Sequence, residues 1–153
     1  MLVKNYMLRQ VHKVSPSDTV AYALEVMISK KTNGLIVIDE ISSEIVWTVS
    51  SLSLAKTIIP DFLKKDPHNS IYEVEWSFDE YIRKSASLKV KDVMYKDFHL
   101  LTEEDAMIQA AAFSTHWDQR IMPVVKKWTK KIIWVITRTS VKNACYDVIN
   151  NKK

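Results

Sequence analysis

Histidine, cysteine and clustered carboxylate side chains are the residues of this sequence whose types could support catalysis or metal binding. His12 and His99 have no carboxylate at a spacing that indicates a shared site, and neither a His-x-x-x-His nor a Cys-x-x-Cys pattern occurs, so a metal site has no support. Cys145 lies at helical spacing from apolar neighbours, which is typical of a small core residue. The acids at 103–105 precede a predicted helix, where they favour its dipole. No nucleophile, base and orienting group emerge together, and we predict that the chain has no catalytic residues and is not an enzyme.

Glycine is nearly absent, which excludes two large classes of nucleotide enzyme. The sequence has one glycine, Gly34. A dinucleotide-binding turn or a P-loop needs several glycines so that the backbone can approach phosphate. Neither motif can therefore exist in this chain.

Composition predicts a compact, reduced, cytoplasmic protein. The 153 residues are 47% hydrophobic, enough for one domain or for two small halves that share a core. A single cysteine allows no internal disulfide. No apolar stretch has the length of a membrane span, and the first residues do not resemble a signal peptide. We expect no cofactor.

Basic residues gather in one short segment, although the formal charge is only +4. Four lysines surround Trp128 at positions 126–131. The segment is interpreted as a solvated hairpin turn, with a polyanion-binding patch as the open alternative.

The chain is an internal duplication. A shift of 87 residues superimposes residues 3–57 on residues 90–144 without a gap and gives ten identical pairs. These pairs are Val3/Val90, Lys4/Lys91, Met7/Met94, His12/His99, Asp18/Asp105, Ala23/Ala110, Val37/Val124, Ile45/Ile132, Trp47/Trp134 and Ser53/Ser140. Repeats of this kind predict two copies of one structural unit.

Each repeat has the pattern β-α-β-β-α. A hydroxyl residue followed three positions later by aspartate, at Ser15 and Thr102, predicts the cap of the first helix. The second helices should begin at Ser50 and Thr137. β-branched residues predict the strands, which are Val11–Val14, Leu35–Ile38 and Ile45–Val49, then Phe98–Leu101, Ile121–Val125 and Ile132–Ile136.

The fold class is therefore α+β, with two repeats packed sheet to sheet. We assign residues 1–60 to the first repeat, 61–88 to a connecting loop and helix, and 89–150 to the second repeat. The connecting helix should begin with the capping box at Ser77 and run to about Lys84. Neither repeat is large enough to bury its own sheet face, so the two should form one module.

The order and duplication of several short segments resemble the cystathionine-β-synthase (CBS) domain family, and the pair resembles a Bateman module. The segments that carry the resemblance are Val90-Lys91-Asp92-Val93-Met94, Met122-Pro123-Val124-Val125 and Ile133-Trp134-Val135-Ile136-Thr137, with Met7, Ile36-Val37-Ile38-Asp39 and Val46-Trp47-Thr48-Val49-Ser50 as their first-repeat equivalents. The resemblance covers nearly the whole chain.

The resemblance implies a regulatory protein without catalytic activity. Such pairs bind AMP, ADP, ATP or S-adenosylmethionine in clefts between the repeats, form homodimers, and act on a partner protein. Their cleft pattern is Gly-h-h-Thr/Ser-x-x-Asp, where h is apolar, the hydroxyl caps a helix, and the aspartate holds the ribose. A helix start offers free N–H groups to a phosphate.

Both repeats depart from that pattern in the same way. Tryptophan replaces the glycine at Trp47 and Trp134, and serine replaces the aspartate at Ser53 and Ser140. Each tryptophan could stack on a base or fill the cleft. Arg138, and similarly Arg120, could meet a phosphate. The candidate ligand-binding residues are Val11, Gly34, Ile36, Trp47, Ser50 and Ser53, then Phe98, His99, Ile121, Met122, Pro123, Trp134, Thr137, Arg138 and Ser140, with the second set favoured.

Two functions fit this pattern, and a third is weaker. The first is a sensor that binds an adenosine-type ligand. The alternative is a ligand-free dimeric scaffold or interaction module whose clefts are filled by Trp47 and Trp134. Tryptophans in polar surroundings at 76, 117 and 128 favour self-association. A nucleic-acid partner for the lysine segment is the weaker third hypothesis, and a membrane partner is not expected.

Overall fold

The computed structural model describes residues 1–72, 75–94, 97–116 and 119–150. The predicted Trp117 therefore lies outside the described residues. The first repeat opens with a 3₁₀ turn, and its elements are Val3–Asn5 (3₁₀), β1 Lys13–Val14, α1 Val20–Ser29, β2 Gly34–Ile38, β3 Ile45–Ser50 and α2 Ser51–Ile58.

The connecting region and the second repeat complete the chain. Their elements are α3 Asp61–Lys65, a 3₁₀ helix Pro67–Tyr72, α4 Glu75–Ala86, α5 Val90–Val93, α6 Met107–His116, β4 Ile121–Val125, β5 Ile132–Thr137 and α7 Arg138–Ile149. The connecting helix begins before the predicted Ser77, and α3 was not predicted because five residues are too few to show a helical period. No helix of the described part is long and apolar enough to cross a membrane.

Two small sheets form, one in each repeat. In the first, β1 runs parallel to β2, and β2 runs antiparallel to β3. In the second, β4 and β5 are antiparallel, and Leu101 adds only a parallel bridge to Val124. A bulge interrupts both hairpins at equivalent places, after Val37 and after Val124. The predicted α+β class is confirmed.

The sheets pack face to face over an apolar layer. Ile36 and Ile45 of the first sheet contact Ile121, Val125 and Val135 of the second, and all five are buried. Two further cores lie between each sheet and its own helices. The inter-sheet layer fixes how the two repeats sit against each other, and so it positions any site between them.

The opening segments of the two repeats are exchanged in space. Val3 is fully buried in the second repeat's helix-side core, and Val90 is fully buried in that of the first repeat. The Val3 N–H donates to the Asp105 carbonyl at 2.9 Å, and the Val90 N–H donates to the Asp18 carbonyl at 2.8 Å. The sequence boundaries thus describe the duplicated unit, while each folded half borrows its first turn from the other.

The predicted caps at Ser15 and Thr102 form turns instead of helix starts. The Asp18 carboxylate accepts from the Ser15 N–H at 2.7 Å, and Asp105 accepts from the Thr102 N–H at 2.6 Å. The first helix begins later, because Thr19 is its cap and accepts from the Tyr22 N–H. Each aspartate carboxylate is bonded to the N–H of the residue that opens the turn, so it does not cap the helix that follows.

Candidate functional site

Two clefts open between the repeats, one at the start of α2 and one at the start of α7. The first has a volume of about 420 Å³ and the second about 340 Å³. The first is lined by Thr48, Ser50, Leu52, Ser53, Lys56, Thr57, Lys64, Asp92, Val93, Met94, Gln119, Arg120 and Ile121. The second is lined by Leu8, Gln10, His12, Lys30, Lys31, Thr32, Asn33, Gly34, Arg120, Ile121, Val135, Thr137, Arg138 and Thr139. Each volume lies within the range of small-molecule sites.

Equivalent positions of the two repeats line the two clefts, and the clefts share lining residues. Ser50 corresponds to Thr137, and Gly34 corresponds to Ile121. These last two residues touch: a Cβ at Gly34 would come within 2.7 Å of the Ile121 Cγ2. The only glycine of the chain therefore stands at a close contact between the two repeats, and Ile121 lines both clefts.

Capping boxes close the helix start at each cleft. The Ser50 hydroxyl accepts from the Ser53 N–H at 3.1 Å, and the Ser53 hydroxyl accepts from the Ser50 N–H at 2.8 Å. Thr137 and Ser140 exchange the same pair of bonds, at 3.3 Å each. The predicted second-helix starts are confirmed. The serines at the family's aspartate position therefore bond to the helix start itself.

The second cleft is strongly cationic. Its described lining includes four basic side chains, Lys30, Lys31, Arg120 and Arg138, together with His12, and no carboxylate from residues 1–72, 75–94, 97–116 or 119–150. The N-terminus of α7, a helix of 12 residues, opens into the same space. Helix dipole and cationic side chains here favour the same kind of ligand, an anion.

Arg120 lies between the two clefts and has unused hydrogen-bonding capacity. It lines both of them, and its Nε is buried without a hydrogen-bond partner among the described residues. A buried donor left unpaired costs about 1–3 kcal/mol. A ligand acceptor within reach would remove that cost. Arg138, by contrast, donates from Nη2 to the Ser114 carbonyl at 3.1 Å, which holds its guanidinium near the end of α6.

The first cleft has a mixed charge. Lys56, Lys64 and Arg120 face Asp92. The Lys64 ammonium is engaged by Asp61 at 2.8 Å, and this bond holds the pKa of Asp61 below its ordinary value. The first cleft therefore attracts anions less strongly than the second.

Six of the predicted ligand-binding residues do line a cleft. Ser50, Ser53 and Ile121 line the first, and Gly34, Ile121, Thr137 and Arg138 line the second. They lie at strand starts or at strand-to-helix junctions, the positions that both the repeat alignment and the family resemblance indicated.

The tryptophans lie elsewhere, which corrects the hypothesis that they fill the clefts. Successive side chains of a strand point to opposite faces. Thr48 and Ser50 of β3 face the first cleft, so Trp47 points the other way and packs against the helix-side core. Trp134 packs in the same manner in the second repeat, where the Arg9 guanidinium lies 4.8 Å from its ring centre.

The remaining predicted residues do not line either cleft. Val11, Ile36 and Phe98 belong to the inter-sheet layer. Met122 is fully buried in the second repeat's helix-side core, and Pro123 is buried in β4. Of this segment, only Ile121 lines the clefts. The His99 ring stacks on Phe113 at 4.3 Å. Ser140 is buried in its capping box.

The residues that precede β2 and β4 were missed by the sequence analysis as cleft residues, apart from Arg120. They are Lys30, Lys31, Thr32, Asn33 and Gln119. The repeat contained the necessary information, because the positions before Gly34 are equivalent to those before Ile121. Gln119 is held by the backbone of His99, to which it donates at 3.1 Å and from which it accepts at 3.0 Å.

Comparison with known proteins finds one family model and many solved structures that are similar to this chain. The family model for the CBS domain matches residues 3–46. A CBS domain-containing protein from Kribbella flavida DSM 17836 has 21% identity and a TM-score of 0.69, covering 95% of this chain and 99% of its own. CBSX2, solved in complex with AMP, has 26% identity and a TM-score of 0.68, covering 96% and 97%. A CBS domain-containing protein from Bacillus anthracis str. Ames Ancestor has 17% identity and a TM-score of 0.71, covering 96% and 94%.

A search of curated protein sequences gives no significant match. The solved structures nevertheless cover nearly the whole chain, both repeats included. The chain therefore carries a match to the CBS domain at residues 3–46 and has the fold of CBS-domain proteins over almost its full length.

Proposed function

We propose that this protein is a regulatory module that binds an adenine nucleotide in the second cleft. The observation that carries the proposal is the set of four basic side chains around the start of α7, with no carboxylate among the described residues of the cleft lining. Phosphate groups are the part of such a ligand that this arrangement attracts most strongly. The AMP complex of the similarly folded CBSX2 supports the same ligand class.

The charge of the cleft favours nucleotides over S-adenosylmethionine. The sulfonium and ammonium groups of S-adenosylmethionine are positive, and they would lie among Lys30, Lys31, Arg120 and Arg138. Like charges at such short range oppose binding. Affinity should instead rise with the number of phosphates, from AMP to ADP to ATP.

The ligand-free scaffold is the second candidate, and one observation favours it. The family's ribose-holding aspartate is replaced by Ser53 and Ser140, whose hydroxyls are used within their capping boxes. The clefts themselves are open, however, and the tryptophans do not fill them. We therefore prefer the nucleotide-binding function.

The regulatory effect would come from the junction of the repeats. Gly34 and Ile121 belong to both the second cleft and the contact between β2 and β4, and Arg120 lines the same cleft directly before β4. A ligand there can change the angle between the repeats only by the difference in its affinity for the two states. In this proposal the module is non-catalytic and cytoplasmic, and it transmits the change to a partner protein.

Isothermal titration with ATP tests the proposed site. Arg120→Met keeps the stem of the side chain but removes the charge from the cleft, and we expect about tenfold weaker binding, or ~1.4 kcal/mol. Lys142→Met is the matched control, because Lys142 is an exposed cation on α7 that lines neither cleft. Equal affinities in wild type, Arg120→Met and Lys142→Met would rule out the second cleft as the site.

A homodimer remains part of the proposal, and the helix side of the second repeat is its best surface. Ile108 is 75% exposed there, beside α7, whereas α4 packs against α1 and α2 in the first repeat. We expect Ile108→Glu to shift the protein toward monomer in sedimentation equilibrium. Ile28→Glu, a change at an equally exposed isoleucine of α1, should have the smaller effect. A reversed order would place the dimer on the first repeat.

A further inference from the structure

The tips of the two hairpins carry the most exposed large apolar side chains among the described residues. Ile41 is 96% exposed and Trp128 is 92% exposed. They are repeat equivalents, since 41 and 128 differ by the repeat length of 87. Each protrudes from a short turn, 39–44 in the first repeat and 126–131 in the second. Neither side chain contributes to a described core.

Both turns project from the same edge of the molecule. The Ile45 N–H, just after the first turn, donates to the Lys130 carbonyl in the second turn at 3.1 Å. The clefts lie at the opposite ends of the same strands, where Ser50 and Thr137 begin their helices. This edge is therefore separate from the proposed nucleotide site, and a contact here does not require nucleotide binding.

The two turns carry opposite charges. The first contains Asp39, Glu40 and Glu44, and the second contains four lysines at 126, 127, 130 and 131. Lys127 is paired with Glu104 at 2.9 Å. No salt bridge within the described residues joins one turn to the other. An acidic and a basic surface thus lie side by side, each with an apolar residue at its tip.

Local hydrogen bonds hold both tips in fixed shapes. The Asp39 carboxylate accepts from the N–H groups of Ile41 and Ser42 at 3.0 and 2.8 Å. In the second turn, the Thr129 hydroxyl donates to the Lys126 carbonyl at 2.8 Å. Trp128 has a left-handed φ of 66°, which its turn imposes. The surface is pre-organised, so docking would lose little conformational entropy.

We propose that this edge is a further contact surface between copies of the chain, in addition to the helix side of the second repeat, with the acidic turn of each copy against the basic turn of the other. Two copies can meet edge to edge about a two-fold axis in two ways. One way places like turns together and is opposed by charge repulsion. The other pairs acidic with basic turns twice and brings each Ile41 beside a Trp128, which makes a self-complementary interface.

The same features disfavour other partners. A polyanion such as nucleic acid, or an anionic membrane, would be attracted by the lysines but repelled by the acidic turn beside them. A second copy satisfies both turns at once. The contact is small and polar at its rim, so it should be weak and sensitive to salt.

Charge reversal tests the pairing directly, with sedimentation velocity at about 0.05 M and about 0.5 M salt as the readout. Glu40→Lys with Glu44→Lys makes both turns basic, and Lys126→Glu with Lys130→Glu and Lys131→Glu makes the edge acidic. We expect wild type at low salt to form assemblies larger than the helix-side dimer, and to lose these larger assemblies at high salt. Each variant alone should lose them, and an equimolar mixture of the two should regain them. Circular dichroism of each variant verifies the fold.

Several results would overturn the proposal. These are a wild type without salt-sensitive association, variants that associate as wild type does, or a mixture that behaves as its separate components. Stronger binding of wild type to a nonspecific duplex or to phosphatidylserine vesicles at the same salt would assign the edge to that partner instead. An independent readout uses Ile41→Cys mixed with Trp128→Cys, both in a Cys145→Ser background. The inferred pairing predicts an intermolecular disulfide in the mixture and much less in either protein alone.

Discussion

Gly34 shows how one residue can fix the contact between the repeats. The position that a side chain would occupy at Gly34 is next to Ile121: an added Cβ would lie 2.7 Å from Cγ2 and 3.2 Å from Cβ of that isoleucine. Real side chains do not approach so closely. Glycine is needed here for space and not for backbone conformation, because the φ of Gly34 is not positive.

Gly34→Ala should therefore destabilise the protein by about 1–3 kcal/mol through overpacking. Ile121→Ala removes the opposing Cγ2 and leaves a cavity of its own. Urea denaturation of the two single variants and the double variant measures their coupling. The double variant should lose less than the sum of the single losses, and strictly additive losses would show that the two side chains do not compete for the same space.

Asp39 should make stability depend on pH in acid. Its bonds from the Ser42 backbone, the Ser42 hydroxyl and the Ile41 backbone hold the pKa of its carboxyl below the ordinary 3.8. A lowered folded pKa contributes stability that is present above the unfolded value and is lost as pH falls through the folded one. The stability difference between wild type and Asp39→Ala should be constant near neutrality and shrink below about pH 4. Urea midpoints across this range measure it, and a difference that persists in acid would contradict the assignment.

The sequence predicts cleft residues correctly where a strand begins or meets a helix, and less well in the middle of a strand. Ser50, Thr137 and Gly34 line the clefts because a helix start or strand start determines where they lie. The direction of Trp47 depends on strand register and on the bulge after Val37, neither of which the spacing of apolar residues reveals.

The four helix-start patterns behave in two different ways. At Ser50 and Thr137 the residue three positions later is serine, and a reciprocal capping box forms between the two side chains and backbones. At Ser15 and Thr102 the residue three positions later is aspartate, and its carboxylate closes a turn before the helix. The sequence pattern S/T-x-x-D fits both a helix cap and such a turn. The backbone bond from Val90 to Asp18 ties the turn to a distant segment, which local pattern cannot show.

Removal of a true cap should have a measurable cost. Thr137→Ala deprives the Ser140 N–H of its side-chain acceptor, and we expect a loss of about 1 kcal/mol in the free energy of unfolding. Thr139→Ala is the control two residues away, since Thr139 is exposed and does not cap the helix. Chemical denaturation distinguishes them, and equal losses would show that the hydroxyl of Thr137 contributes nothing specific.

The whole molecule is held together by the exchange of opening segments. Val3 completes the second repeat's core and Val90 completes the first. The duplication itself was visible in the sequence, and so was the class of fold. The exchange was not, because a repeat alignment shows equivalence between segments and does not show which copy each segment packs against.

Val3→Ala should weaken the second repeat although it lies in the first sixty residues. The lost methyl groups come from a fully buried site, and we expect about 1–3 kcal/mol of destabilisation. Hydrogen exchange in the native protein should rise first in α6, β4 and α7. Val90→Ala is the matched variant and should raise exchange in α1, β2 and α2 instead. Increased exchange confined to each residue's own sequence repeat would contradict the exchange of segments.

The central claim is that the second cleft binds an adenine nucleotide through its phosphates. Thermal unfolding of the purified protein with ATP, AMP, adenosine and S-adenosylmethionine tests it most directly. A ligand at 100 times its dissociation constant stabilises by about 2.7 kcal/mol, or several degrees for a protein of this size. We predict that ATP gives the largest shift and adenosine and S-adenosylmethionine the smallest, and that Arg120→Met reduces the ATP shift. No shift with any nucleotide would contradict the account and leave the ligand-free scaffold as the function.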